Sequence, residues 1–98
     1  MHIEENLTLD VQNEPVRGVR VVYSSQEDNV YVGIIFVGKL LILKKNQVIH
    51  QYRLKFSTNI VDFEGGFVGL EGINDGKQIY FVALTAKGLI VTIPVDEP

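Results

Sequence analysis

Residues Asn29 to Lys44 read NVYVGIIFVGKLLILK. In an extended chain Val30, Val32, Ile34 and Phe36 point one way, while Tyr31, Ile35 and Val37 point the other. Beyond Gly38, Leu40 and Ile42 oppose Leu41 and Leu43 in the same manner. A sheet with one wet face alternates apolar and polar residues, whereas a sheet covered on both sides reads as a continuous apolar run. These two strands are of the second kind. The later segment Ile79 to Leu84 repeats the pattern, with Ile79, Phe81 and Ala83 against Tyr80, Val82 and Leu84.

Outward from this segment the chain shows β periodicity nearly everywhere and no helical stripe. The strands expected are Asn6–Gln12, Arg17–Ser24, Asn29–Val37, Lys39–Lys44, Gln47–Phe56, Asn59–Phe63, Gly66–Gly72, Gln78–Thr85 and Gly88–Val95. Turn-forming residues separate them at Ser25-Gln26-Glu27-Asp28, Lys45-Asn46, Glu64-Gly65-Gly66 and Asn74-Asp75-Gly76-Lys77. The expected class is all-β with antiparallel sheets in a single domain spanning residues 1–98.

Sliding the chain by 49 residues lays Asn29–Lys44 on QIYFVALTAKGLIVTI, Gln78–Ile93, without a gap. Tyr31 meets Tyr80, Leu40 meets Leu89, and Val19 and Val21 meet Val68 and Leu70. The arrangement expected from this offset is two four-stranded units, one over about residues 6–55 and one over about 56–95, with a β-sandwich or a barrel as the alternative.

The segment NIVDFEGGFVGLEGINDGKQIYFVALTAKGLIVTI, Asn59–Ile93, resembles a β-propeller blade of the WD or a related type in its order of short strand, turn, strand, polar hairpin and two closing strands. The chain carries neither a Trp-Asp nor a Gly-His pair. The resemblance implies two blade-like units. Propellers close with about four or more blades, so two such units imply completion by further copies of the chain or by a partner protein.

Residues that could carry chemistry are few, and each has a structural reading. His50 lies in phase with Val48, Tyr52, Leu54 and Phe56 and is read as a core-edge histidine, since a catalytic or metal site needs a second base or ligand. Asp62 and Glu64 flank Phe63 beside Gly65-Gly66 and are read as solubilising a turn. Asn74-Asp75-Gly76-Lys77 begins like a calcium loop but lacks its later acids, so a hairpin turn is expected. Gly65-Gly66-Phe67-Val68-Gly69 lacks the Lys-Ser/Thr and the helix of a phosphate loop, and is read as close strand packing. Ser24-Ser25 has no histidine near it in pattern. Lys39, Lys44, Lys45, Arg53 and Lys55, interleaved with Tyr52 and Phe56, are read as a solvated, edge-protecting set rather than a nucleic-acid surface.

Composition narrows the function classes. A chain of 98 residues with no cysteine has no disulfide framework, no thiolate metal site and no cysteine nucleophile. A formal net charge of -3 disfavours a general grip on nucleic acid or anionic lipid. MHIEENLTLD carries acids where an export signal is basic, and Val30–Leu43 is interrupted by Gly33, Gly38 and Lys39, so an intracellular, cytoplasmic protein without a membrane span is expected. The expected function is a non-enzymatic interaction or assembly module, without cofactor or metal, whose apolar sheet faces are completed by self-association or a partner chain. Tyr31, Ile35, Phe36, Tyr80 and Phe81 are the interface candidates. The alternative is a small-ligand or carbohydrate-binding protein built from oligomerised two-unit chains, using Tyr and Phe in place of the absent Trp.

Overall fold

The computed structural model describes residues 14–24, 29–45, 47–54 and 66–95. They form seven strands and, among the described residues, no helix: β1 (Gly18–Ser24), β2 (Asn29–Ile35), β3 (Lys39–Lys44), β4 (Gln47–Arg53), β5 (Phe67–Asn74), β6 (Ile79–Thr85) and β7 (Ile90–Pro94). All neighbouring strands are antiparallel, in a four-stranded sheet of order β1-β2-β3-β4 and a three-stranded sheet of order β5-β6-β7. The protein is therefore all-β, with two open sheets rather than a closed barrel. Strand bounds agree with the sequence pattern to within about three residues. The fourth strand of the first sheet is β4; the candidates Asn6–Gln12 and Asn59–Phe63 lie outside the described residues.

The sheets meet face to face. Val22, Tyr31, Ile35, Leu40 and Ile42 from the first join Phe67, Leu70, Phe81, Ala83, Val91 and Val95 from the second in one buried cluster. Two glycines let the layers approach. A Cβ at Gly33 would sit 2.7 Å from two Phe81 ring carbons, and one at Gly72 would overlap Val22 Cγ2. Polar contacts tie the same seam: Asn74 Nδ2 donates to the Tyr23 carbonyl at 2.9 Å, and Arg17 donates to the Phe67 carbonyl at 3.1 Å. The Phe67 N–H donates to the Val37 carbonyl at 2.9 Å, with Gly66 fitting where a Cβ would strike Val37.

The first sheet buries its other face as well. Ile34, Phe36, Leu41 and Leu43 form a second buried cluster with Val32 against it. The apolar-both-ways reading of Asn29–Lys44 thus has a direct cause: its odd-numbered β2 residues face the second sheet and its even-numbered ones this second cluster. In β4 a bulge opposite Ile42/Leu43 breaks the single phase expected around His50. Val48 faces Leu43, of the second cluster, while His50 faces Ile42, of the intersheet core, because the extra residue Ile49 intervenes.

Which geometric face each sheet presents can be read from its ladders. In a strand, residues bonded to one neighbour share a face, and those bonded to the other neighbour share the opposite face. The Phe36 N–H bonds to the Lys39 carbonyl at 2.9 Å. Alternation along the β2–β3 register then directs Ile34 and Val32 toward β3, and Tyr31, Gly33 and Ile35 toward β1. In β6, Thr85 N–H bonds to the Leu89 carbonyl at 2.9 Å and Val95 N–H to the Ile79 carbonyl at 2.8 Å. Phe81 and Ala83 are consequently bonded toward β7, and Tyr80, Val82 and Leu84 toward β5. The first sheet buries against its neighbour the face bonded to the preceding strand; the second buries the face bonded to the following strand. The two layers are stacked head to tail.

Candidate docking surface

The inner face of the second sheet is filled, so its chemistry lies on the outer one. There, side chains of β5, β6 and β7 stand in cross-strand rows: Gly69, Leu84 and Ile90; Glu71, Val82 and Thr92; Ile73, Tyr80 and Pro94. Val68, Leu84 and Ile90 are 49%, 42% and 63% exposed, while Ile73, Tyr80 and Val82 are half-buried. Apolar side chains in water on this sheet face leave on the order of 300 Å² of patch, within the range of the largest patch an ordinary monomer exposes, which is often functional. Glu71 is the single charge in these rows, and it lies 3.9 Å from Arg20 across the seam, both side chains being exposed.

A second exposed stripe runs along β1 on the outer side of the first sheet. Val19, Val21 and Tyr23 are 45%, 47% and 69% exposed and pair with Ile34, Val32 and Val30. Farther across that face, Leu41 and Leu43 are buried. Exposed apolar side chains thus lie on β1, with Val30 on β2 and Val48 on β4, in the first sheet, and on all three strands of the second.

The structure distributes the five interface candidates differently from their sequence reading. Tyr31, Ile35 and Phe81 are buried between the two sheets, and Phe36 is buried in the second cluster on the far side of the first sheet. These four serve the chain's own core. Tyr80 alone lies on the outward face, where it stands between Ile73 and Pro94. Alternation separates the side chains of a strand into two sets without saying which set meets another chain. Val68, Leu84 and Ile90, the most exposed apolar residues of this outward sheet, were not singled out in the sequence, where each sits near the margin of its strand.

The remaining candidates resolve into local structure. Asp75 Oδ1 accepts from the N–H groups of Lys77 at 2.9 Å and Gln78 at 2.8 Å, and Asn74 Oδ1 accepts from Gly76 N–H at 2.9 Å. This is a side-chain-stabilised hairpin turn. The bonds from Lys77 and then Gln78 hold the Asp75 carboxyl below its ordinary value of 3.8. His50 is half-buried in β4. No group of three or more His, Asp or Glu that could hold a metal occurs among the described residues. Lys39 pairs with Glu14 at 3.0 Å and lies 4.7 Å over the Phe36 ring, which corrects its reading as a solvated edge lysine. Lys44 lies 5.7 Å from the Tyr31 ring, and the Tyr52 ring meets Phe67 edge-on at 6.4 Å. Lys39 and Lys44 are thus each set against a ring of the chain's own core, while Lys45 and Arg53 are exposed. Ser25, Lys55, Phe56, Asp62, Glu64 and Gly65 lie outside the described residues. No helix among the described residues is long and apolar enough to cross a membrane. No family model, curated protein or solved structure matches this chain.

Proposed function

We propose that this chain is a non-enzymatic assembly module that acts through the outer face of its β5-β6-β7 sheet. The observation that carries the reading is a layer whose inner face packs against the first sheet and whose outer face keeps Val68, Leu84 and Ile90 in water. Unlike a scatter of single apolar residues, these lie on one rigid, hydrogen-bonded surface, and Leu84 and Ile90 are direct cross-strand partners. A flat apolar face of this kind suits another sheet better than a small polar ligand, which would need a concave site with converging polar groups.

The test is a pair of surface substitutions, Leu84→Lys and Ile90→Lys, read by fluorescence of an apolar-surface dye at low protein concentration and by thermal melting. Both variants are expected to melt within a few degrees of the parent and to bind clearly less dye, the remainder belonging to the exposed residues of the first sheet. Unchanged dye binding in both variants would overturn the reading. His50→Ala, by contrast, is expected to leave dye binding at the parental level.

A further inference from the structure

We propose that Asp75-Gly76 is a site of spontaneous isoaspartate formation, opened by separation of the two sheets and held shut by the Asn74 side chain. The sequence puts the site there for a structural reason. Gly76 has φ 90°, a conformation that side chains with a Cβ rarely adopt, so the hairpin between β5 and β6 takes glycine at this place. The residue before it is an exposed aspartate, and glycine has no Cβ to keep its amide nitrogen away from the preceding carboxyl. The reaction needs only the chain and water. The Gly76 nitrogen bonds to Cγ of the protonated Asp75 side chain, and its proton leaves with the carboxyl hydroxyl as water, closing a succinimide ring. Water then adds to one of the two ring carbonyls. Breaking the bond from nitrogen to Cγ restores aspartate, whereas breaking the bond from nitrogen to the Asp75 main-chain carbonyl carbon leaves a free α-carboxylate and runs the chain through the side chain, as isoaspartate.

In the closed fold both reacting groups are engaged elsewhere. The Gly76 N–H donates to Asn74 Oδ1 at 2.9 Å, while Asp75 Oδ1 accepts from the N–H groups of Lys77 at 2.9 Å and Gln78 at 2.8 Å. The last two bonds favour the ionised carboxylate, the form with no hydroxyl to lose. Asn74 is itself held by the other sheet, since its Nδ2 donates to the Tyr23 carbonyl near the end of β1 at 2.9 Å. One side-chain amide thus joins the seam between the layers to the nitrogen that would attack. When β1 parts from β5, Asn74 loses its fixed orientation and the Gly76 nitrogen is released beside the Asp75 carboxyl. Opening and closing are fast beside this chemistry, so the rate follows the equilibrium population of the open form.

The test is peptide mapping by liquid chromatography and mass spectrometry, which separates the aspartate and isoaspartate forms of the peptide carrying residue 75. It is applied to the full chain aged at neutral pH, with melting curves for every variant. The parent is expected to accumulate isoaspartate in unfolding urea and far more slowly in buffer. Asn74→Ala removes both bonds of the latch while leaving Asp75 and Gly76 in place, and in buffer it is expected to react about tenfold faster than the parent or more, the scale of one or two lost hydrogen bonds. Asn74→Asp keeps an oxygen for the Gly76 N–H but no donor for Tyr23, and is expected to fall between the two. Gly33→Ala disturbs the seam far from the turn, because its Cβ would sit 2.7 Å from the Phe81 ring. In urea at the foot of the unfolding transition it is expected to raise the rate about 5- to 30-fold by enlarging the open population. A folded Asn74→Ala that reacts at the parent's rate would overturn Asn74 as the latch. Should Asn74→Ala fail to fold, Asn74→Asp at the parent's rate would do the same. A Gly33→Ala chain with lowered Tm and unchanged rate would overturn sheet opening as the gate, and a parent that reacts as fast in buffer as in unfolding urea would overturn the protected site altogether.

Discussion

Gly33→Ala probes the closeness of the two sheets with a single added carbon. The new Cβ would lie 2.7 Å from Phe81 Cδ1 and Cε1 and 3.2 Å from Leu70 Cδ2. Carbon atoms rest at about 3.5–4.0 Å, so two contacts fall short by roughly 1 Å. Phe81 is fully buried and Leu70 nearly so, which leaves the ring no free direction in which to yield. Overpacking of a core costs about 1–3 kcal/mol, while loss of glycine freedom in the unfolded chain returns about 0.4–1 kcal/mol. The net destabilisation expected is about 1–2 kcal/mol. For a domain of this size that lowers Tm by about 4–8 °C for each kcal/mol. Gly69→Ala is the control, since its Cβ would sit 3.8 Å from Leu84 Cβ in ordinary contact, and it is expected to be neutral or slightly stabilising. Urea denaturation of Gly33→Ala, Phe81→Leu and the double variant completes the measurement. The double variant is expected to be more stable than the two losses added together by about 0.5 kcal/mol or more, since the smaller side chain makes room. Strict additivity, or a Gly33→Ala stability equal to that of Gly69→Ala, would refute the close approach of β2 to β6.

Phe81→Ala is expected to cost about 3–5 kcal/mol, and Tyr80→Ala at the adjacent, outward position markedly less; comparable denaturation midpoints for the two would contradict the assignment of faces. Lys45 has φ 51°, a left-handed conformation between the paired Lys44 and Gln47, so Lys45→Gly is expected to leave stability unchanged or raise it by up to about 1 kcal/mol, read as a Tm that does not fall. Asp75 has a folded pKa below its ordinary 3.8, so its turn bonds contribute fully above that value and are lost as pH falls through the lower folded one. The Tm difference between the parent and Asp75→Ala is accordingly expected to narrow on acidification through that window, and a gap that widens there would contradict the turn's role.

The fold was legible in the sequence to an unusual depth because two-sided apolar strands leave little choice of class. Lys39–Lys44 appears with its expected bounds, and Tyr31 and Tyr80, matched at an offset of 49, are both bonded to the strand before them in the middle of a meander. Leu40 and Leu89 are less well matched: Leu40 faces Ile35, whereas in the second sheet Ile90 faces Leu84. Turn lengths set such register shifts, and an ungapped comparison cannot register them. The candidate docking surface was harder to read. The largest apolar side chains, Phe36 and Phe81, attract attention as interface anchors but are the ones a small core consumes first. What remains outside is a set of medium-sized residues: Leu84 and Ile90, joined by cross-strand register, and Val68 at the bulge beside Gly69, the partner of Leu84. That register becomes visible only when the strands are paired.

The central claim is that the outer face of the β5-β6-β7 sheet is where this chain meets another. Methyl NMR of the parent protein titrated with an apolar-surface dye reads that face residue by residue. The methyl resonances of Val68, Val82, Leu84 and Ile90 are expected to move as the dye is added, while those of Ala83, Val91 and Ile42 stay fixed in the intersheet core. Outer-face resonances that do not move, or shifts confined to the intersheet core, would contradict it.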